Sequence, residues 1–203
     1  MAPTVPPPRR PFESASAGAE STPLEGVLHW YENALGWPTV PGDPVRLVVG
    51  VRFDVLDVPA EAGYAALCRL TPAGCAFPVA VQGDRMRLLV AAGGAEELPG
   101  LLEWLEWGDV RLDLVGMGAG CLMEAPAPMP APARGRARSR GAAVWLRPPE
   151  PGCEGTASLP TLPAMGGRAG ALDLTRVVSA VATQCHRVRL RRGCAQPAVV
   201  PAL

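Results

Sequence analysis

Residues 51–59 read VRFDVLDVP, a stretch that places two carboxylates inside an otherwise apolar run. Valine, phenylalanine and leucine nearly alternate with charge, and Gly50 and Pro59 stand at its ends, which is typical of a buried strand that stops sharply. Asp54 and Asp57 are three residues apart, so a strand points them to opposite faces, and they cannot share one metal ion unless the strand bulges. The pattern therefore indicates Asp57, at the strand's end, as the candidate site residue.

The segments around this strand predict a domain that combines strands with helices. Apolar residues recur at helical spacing in residues 23–35, 96–107 and 174–187, and a shorter helix is expected over residues 59–70. Further strand-like runs are residues 45–49, 77–81, 86–91, 112–115, 121–125 and 142–146. Two tight turns are expected, a hairpin turn at residues 82–85 and another at the glycine-rich residues 116–120. The fold class predicted is α+β, with the helices packed on one mixed β-sheet.

Composition sets the expected boundaries within the chain of 203 residues, of which 48% are hydrophobic. Residues 1–22 are predicted to be a disordered tail, because they contain almost no bulky apolar side chains. Residues 23–125 are the expected core, residues 126–141 a flexible linker rich in Pro, Ala and Arg, residues 142–192 the remainder of the domain, and residues 193–203 a tail. A chain of this length can form one domain with a buried hydrophobic core.

The charge balance and the cysteine spacing exclude some classes of protein. The formal net charge is zero, which argues against a strongly basic nucleic-acid binder, although 11 of the 19 arginines lie after residue 133. The six cysteines form no C-x-x-C pair, and no apolar run reaches the roughly 20 residues of a membrane span. We expect a cytoplasmic protein with reduced thiols and no membrane partner.

Three segments, in order, resemble the primase-polymerase (Prim-Pol) family. LDV at residues 56–58 is similar to the family's first catalytic motif, an apolar strand that ends in Asp-x-Asp. LHWYENALGWPTVPGD at residues 28–43 is similar to its opening helix and Gly-Trp-Pro turn. LDLVGMGAGCLMEAPAP at residues 112–128 is similar to its third motif, which supplies another aspartate. The resemblance spans residues 24 to 151 in outline.

The resemblance implies a metal-dependent DNA primase/polymerase, a nucleotidyltransferase of DNA replication. It implies that Asp57 and Asp113 are catalytic and bind Mg²⁺ or Mn²⁺, and Glu61 is a candidate for the missing third carboxylate. Two positions depart from the motifs: Pro59 replaces the second aspartate, and Met86 or Arg87 falls where the family has a histidine. These departures favour a degenerate active site that has lost nucleotidyl transfer.

The preferred hypothesis is a module that binds a nucleotide, single-stranded DNA or a protein partner. Four arginines alternate along residues 134–140, and they are expected to contact phosphates without reading sequence: Arg134, Arg136, Arg138 and Arg140. An active enzyme that uses Asp57 and Asp113 remains an alternative. The other alternative is a regulatory protein-interaction module that binds another protein through Trp104, Trp107 and the last helix.

Overall fold

The structure is a computed structural model that describes residues 23–70, 77–128, 141–150, 159–162 and 173–195. The predicted tail at residues 1–22, most of the predicted linker and the end of the chain lie outside these ranges. The helices are α1 Pro23–His29, α2 Ala60–Leu70, α3 Gly94–Trp104 and α4 Leu174–Ala195, and a π-helical turn, Trp30–Ala34, continues α1. The strands are β1 Thr39–Val40, β2 Arg46–Val48, β3 Phe53–Pro59, β4 Val79–Gln82, β5 Arg85–Ala91, β6 Val115–Met117, β7 Leu122–Glu124 and β8 Val144–Arg147.

The strands form two sheets, and the α+β prediction is confirmed. One sheet has five strands in the order β6-β3-β5-β4-β8, and the other has three in the order β1-β2-β7. Every pairing between these strands is antiparallel. The predicted hairpin of β4 and β5 is present, with Gly83 in its turn at φ +59°. The sequence predicted one sheet, and the chain divides its strands between two.

The glycine-rich residues 116–120 do not form a hairpin turn, so that prediction was wrong. β6 pairs with β3 in the larger sheet, whereas β7 pairs with β2 in the smaller one. The glycines are needed for close packing instead: a Cβ at Gly116 or Gly118 would lie 3.3 Å from the Ala95 side chain in α3. The stretch is therefore a crossover between the sheets that passes tightly beneath α3.

The five-stranded sheet carries a hydrophobic core on each face. Alternate residues of a strand point to opposite faces, so β3 contributes to both cores. The first core packs the sheet against α2, α3 and α4, and it includes Leu56, Val58, Met86, Leu88, Leu174, Val177 and Val181. The second core packs it against α1 and the small sheet, and it includes Phe53, Val55, Leu89, Tyr31, Trp37, Leu47 and Trp145. Strand β8 and helix α4 both follow residue 141. Strand β8 joins the same sheet as strands that precede residue 125, and α4 packs on that sheet.

Asp54 and Asp57 point to opposite faces, as the period of a strand requires. Asp54 is 1% exposed, and its carboxylate accepts a hydrogen bond of 2.9 Å from the backbone N–H of Ala95. This N–H is one of those that a helix start leaves unpaired, and the preceding Gly93 has φ +90°. Asp54 therefore caps α3 from a neighbouring strand, and its role is structural.

Helix α3 ends three residues earlier than predicted. The backbone turns at Glu106, which has φ +65°, so Trp104 and Trp107 do not form one helical edge. Trp104 is 72% exposed, whereas the ring of Trp107 lies 5.5 Å from the His186 ring of α4. The two tryptophans consequently face different surroundings.

Candidate functional site

The antiparallel ladder between β3 and β5 places two arginines beside Asp57. Asp57 lies opposite Arg87, and Pro59 lies opposite Arg85. Side chains of alternate residues share a face, so Asp57, Arg85 and Arg87 all project from the face that carries the second core. Met86 points the other way and is fully buried in the first core. Arg87 is thus the residue that faces the carboxylate at the position where the resemblance expects a histidine.

Arg85 joins the two carboxylates that the sequence predicted as a pair. Its Nε donates a 2.5 Å hydrogen bond to Asp57 Oδ1, and one terminal nitrogen contacts the same oxygen. Its other terminal nitrogen, Nη1, donates a 2.7 Å hydrogen bond to Asp113 Oδ1. Asp113 lies just before β6, whose Val115 pairs with Asp57, so strand pairing brings the second carboxylate to the site. The guanidinium group therefore lies between Asp57 and Asp113.

Arg87 adds a second positive charge to this centre. Its Nε lies 3.3 Å from Asp57 Oδ2, so each oxygen of Asp57 faces an arginine. Its Nη1 is buried and has no hydrogen-bond partner among the described residues. The four side chains Asp57, Asp113, Arg85 and Arg87 form what we call the Arg–Asp centre, in which two negative charges meet two positive ones.

The electrostatics of the centre keep Arg85 charged. Burial lowers the pKa of Arg85, but hydrogen bonds and attraction from Asp113 and Asp57 outweigh burial and hold the pKa above its ordinary value. A guanidinium is protonated at every pH at which proteins are usually handled. The positive charge of Arg85 is therefore constant under ordinary conditions.

The residues of the Arg–Asp centre do not fit a divalent metal ion. Mg²⁺ and Mn²⁺ need free carboxylate oxygens around them, and here both oxygens of Asp57 and one of Asp113 face guanidinium nitrogens. Within the described ranges, no three His, Cys, Asp or Glu side chains cluster in a way that could hold a metal.

Glu61, the candidate third carboxylate, binds elsewhere. It lies in the first turn of α2, and its Oε1 accepts a 2.6 Å hydrogen bond from Arg191 near the end of α4. Both side chains are more than half exposed, so the pair contributes little to stability. The carboxylate of Glu61 therefore joins α2 to α4, and its described contact does not involve Asp57 or Asp113.

A cleft of about 630 Å³ adjoins the Arg–Asp centre, because Asp113 belongs to both. One wall is a stripe of α4, and the opposite wall is the segment that leads into β6; we call this the basic cleft. Its lining includes three arginines and one carboxylate: Arg111, Arg189, Arg192 and Asp113. Arg189 also donates a hydrogen bond to the backbone carbonyl of Arg111, which ties the two walls together. The cleft carries a net positive charge.

The thiol at the floor of the basic cleft is not a nucleophile. Cys185 is buried, and its Sγ lies 3.5 Å from the backbone carbonyl of Asp113. Burial, with a smaller contribution from the Asp113 charge, raises the pKa of Cys185 to about 12. A thiol that stays protonated at neutral pH is unreactive. The chemistry available in this region is thus charge recognition by arginine.

Sequence reasoning found part of this arrangement. It identified Asp57 and Asp113. It missed Arg85 and Arg111. The predicted hairpin left residue 85 in the turn, whereas β5 begins at Arg85 and so sets Arg85 and Arg87 on one face of the sheet. Arg134, Arg136, Arg138 and Arg140 lie outside the described residues, so their predicted phosphate contacts stay a prediction.

None of the described helices is long and apolar enough to cross a bilayer. The longest, α4, carries a run of arginines over its last two turns.

Comparison of the chain with protein-family models, with curated proteins and with solved structures gives no match.

Proposed function

We propose that this protein is a primase-polymerase-like binding protein without nucleotidyl-transfer activity, and that its basic cleft holds the phosphates of single-stranded DNA or of a nucleotide. The observation that carries the proposal is the convergence of Arg111, Arg189 and Arg192 on one cleft. Arginine offers five N–H donors in a planar fork, which suits phosphate oxygens better than any other side chain.

Helix electrostatics do not account for all three arginines. Cations are favoured at the C-terminal end of a helix, which would explain Arg189 and Arg192. Arg111, however, comes from the segment before β6 and faces α4 across the cleft. Arginines on both walls favour an anionic ligand between them. The volume of about 630 Å³ also lies in the range of ligand sites.

The Arg–Asp centre supports the absence of catalysis. Nucleotidyl transfer by two metal ions needs carboxylates that hold both cations beside the reacting phosphate. Asp57 and Asp113 direct their oxygens to Arg85 and Arg87 instead. The centre holds two positive and two negative charges, so the net positive charge that attracts phosphate comes from the arginines of the basic cleft.

The binding test compares two variants of equal charge. A labelled single-stranded DNA of about 20 nucleotides is titrated with protein at several salt concentrations in the presence of EDTA, and fluorescence anisotropy is recorded. One variant carries Arg111→Ala and Arg192→Ala, and the matched control carries Arg46→Ala and Arg69→Ala, which are exposed and lie outside the cleft.

We expect the wild type and the control to bind alike and the cleft variant to bind roughly ten-fold more weakly at low salt. The loss of two phosphate contacts should lower the slope of log K against log salt by about 1.4. Competition with a free nucleoside triphosphate then distinguishes the two sources of phosphate. Equal weakening of the two variants, or no binding of either ligand at low salt, would overturn the binding proposal.

A primer-extension assay tests the absence of catalysis on the same preparations. With Mg²⁺ or Mn²⁺, wild-type protein should incorporate no nucleotide on a primed or an unprimed single-stranded template. Incorporation that disappears in an Asp57→Ala variant would show that the carboxylates still act in catalysis.

A further inference from the structure

We infer that Arg85 is a built-in counter-cation of Asp57 and Asp113, and that replacing it with a neutral residue creates a divalent-cation site on these two carboxylates. The inference goes beyond the proposed function, since it concerns the Arg–Asp centre and does not depend on what the basic cleft binds.

The geometry of Arg85 carries the inference. A single guanidinium contacts both carboxylates, through Nε and one terminal nitrogen to Asp57 and through the other terminal nitrogen to Asp113. Removing it would leave two negative charges directed at one vacated position. Like charges in such proximity repel, and this repulsion favours the uptake of a small cation with a preference for oxygen ligands.

Burial strengthens this electrostatic requirement at Asp57, whereas the side chain of Asp113 is 49% exposed. The side chain of Asp57 is 14% exposed and that of Arg85 is 27% exposed, so water compensates these charges only in part. Arg87 still faces Asp57 Oδ2 in such a variant, but it does not contact Asp113. Asp113 would therefore lose its only charged partner among the described residues. Asp57 would lose one of its two charged partners and keep Arg87.

The permanence of this cation has a consequence for the neighbouring cleft. A metal ion can dissociate or be removed by a chelator, whereas Arg85 is a residue of β5 and cannot leave the site. Its contact with Asp113 holds the segment before β6 against the sheet, and the same segment forms one wall of the basic cleft. The wall is thus positioned without any divalent ion. Ligand binding in the cleft should accordingly be insensitive to EDTA.

The test is Mn²⁺ binding, measured by electron paramagnetic resonance as the loss of the free-ion signal. The proteins compared are wild type, Asp57→Asn, Arg85→Ala, Arg85→Gln and the double variant Arg85→Ala with Asp57→Asn. Arg85→Lys serves as a control, since it keeps a positive charge at the position. Circular dichroism and thermal unfolding with and without Mn²⁺ report on the fold.

We expect the wild type and Arg85→Lys to bind no Mn²⁺ at millimolar concentrations, and Arg85→Ala and Arg85→Gln each to bind one ion. The Asp57→Asn change should weaken that binding at least ten-fold, and Mn²⁺ should raise the melting temperature of Arg85→Ala only while Asp57 is present. A variant that folds only when Mn²⁺ is added would support the inference in the same way.

Three outcomes would overturn the inference. The first is Mn²⁺ binding by wild type that Asp57→Asn removes. The second is a folded Arg85→Ala and Arg85→Gln pair that binds no more Mn²⁺ than wild type, and the third is failure of both variants to fold even with Mn²⁺. Absence of DNA binding in the basic cleft would leave these results unchanged, so the failure of one proposal can be distinguished from the failure of the other.

Discussion

Tyr31 shows how one side chain can connect distant parts of the chain. It is fully buried in the second core, and its hydroxyl donates a 2.6 Å hydrogen bond to the backbone carbonyl of Pro126. The same hydroxyl accepts a 3.0 Å hydrogen bond from the indole N–H of Trp145. Burial raises the pKa of Tyr31 above its ordinary value, so the hydroxyl keeps its proton and remains a donor.

Tyr31→Phe should destabilise the protein by about 1–3 kcal/mol, because it leaves a buried carbonyl and a buried indole N–H without their partner. Tyr64→Phe is a matched control, since Tyr64 lies on α2 and is 46% exposed. Urea unfolding of both variants measures the difference. Equal stability of the two variants would mean that the hydroxyl of Tyr31 contributes nothing to the second core.

The Arg–Asp centre illustrates what can and cannot be predicted at the residue scale. The aspartates were visible as charged residues in or near apolar runs, which is an unusual pattern and hence an informative one. Arg85 was not visible in this way, because an arginine beside a hairpin turn is ordinary. Its importance comes from the strand register, which sets Pro59 opposite Arg85 and so brings Arg85 to Asp57.

At the scale of elements, local patterns predicted most helices and the hairpin of β4 and β5. Helical periodicity located α1, α2 and α4, because apolar residues recur at helical spacing in each. The apolar stripe is buried in α2 and α4, whereas Leu24 of α1 is 41% exposed. The predicted end of α3 was wrong, and so was the predicted pairing of β6 with β7. The error in the pairing has a physical reason. A strand can pair with any strand of similar length, and only the rest of the fold decides which one it contacts.

Gly50 marks the contact between the turn before β3 and the crossover that follows β6. It has φ +90°, and a Cβ there would lie 2.2 Å from the Ala119 Cα. Gly50→Ala should therefore destabilise the protein by more than about 2 kcal/mol, through backbone strain and a steric clash.

Gly100→Ala provides the control for this prediction. Gly100 lies in α3, and a Cβ there would meet nothing within 4 Å. This change should stabilise the protein by about 0.5–1 kcal/mol, because alanine favours helix. Thermal or urea unfolding compares the two variants. A tolerated Gly50→Ala would show that the crossover can move away from the turn.

For the molecule as a whole, the central fact is that both cores share the five-stranded sheet. Residues of β3 alternate between the core under α2 and α4 and the core under α1 and the small sheet. Neither face can separate without exposing the strands that also support the other face. The two cores should therefore unfold in one cooperative transition.

Two probes test this cooperativity. Far-UV circular dichroism reports chiefly on the helices of the first core, and near-UV circular dichroism reports on the aromatic cluster of the second, which includes Trp37 and Trp145. The midpoints of urea unfolding should coincide. Midpoints that differ by more than the experimental error would show that one face unfolds before the other.

The sequence by itself determined the α+β class, most helices, one hairpin and the two aspartates of the candidate site, because these depend on periodicity and on charge in apolar surroundings. The tertiary structure decided the division into two sheets, the pairing of Arg85 with both aspartates, and the approach of Arg111 to the end of α4. Each of these joins residues far apart in the chain, and local preference does not specify long-range contacts. They depend on strand register and on how whole faces are buried together.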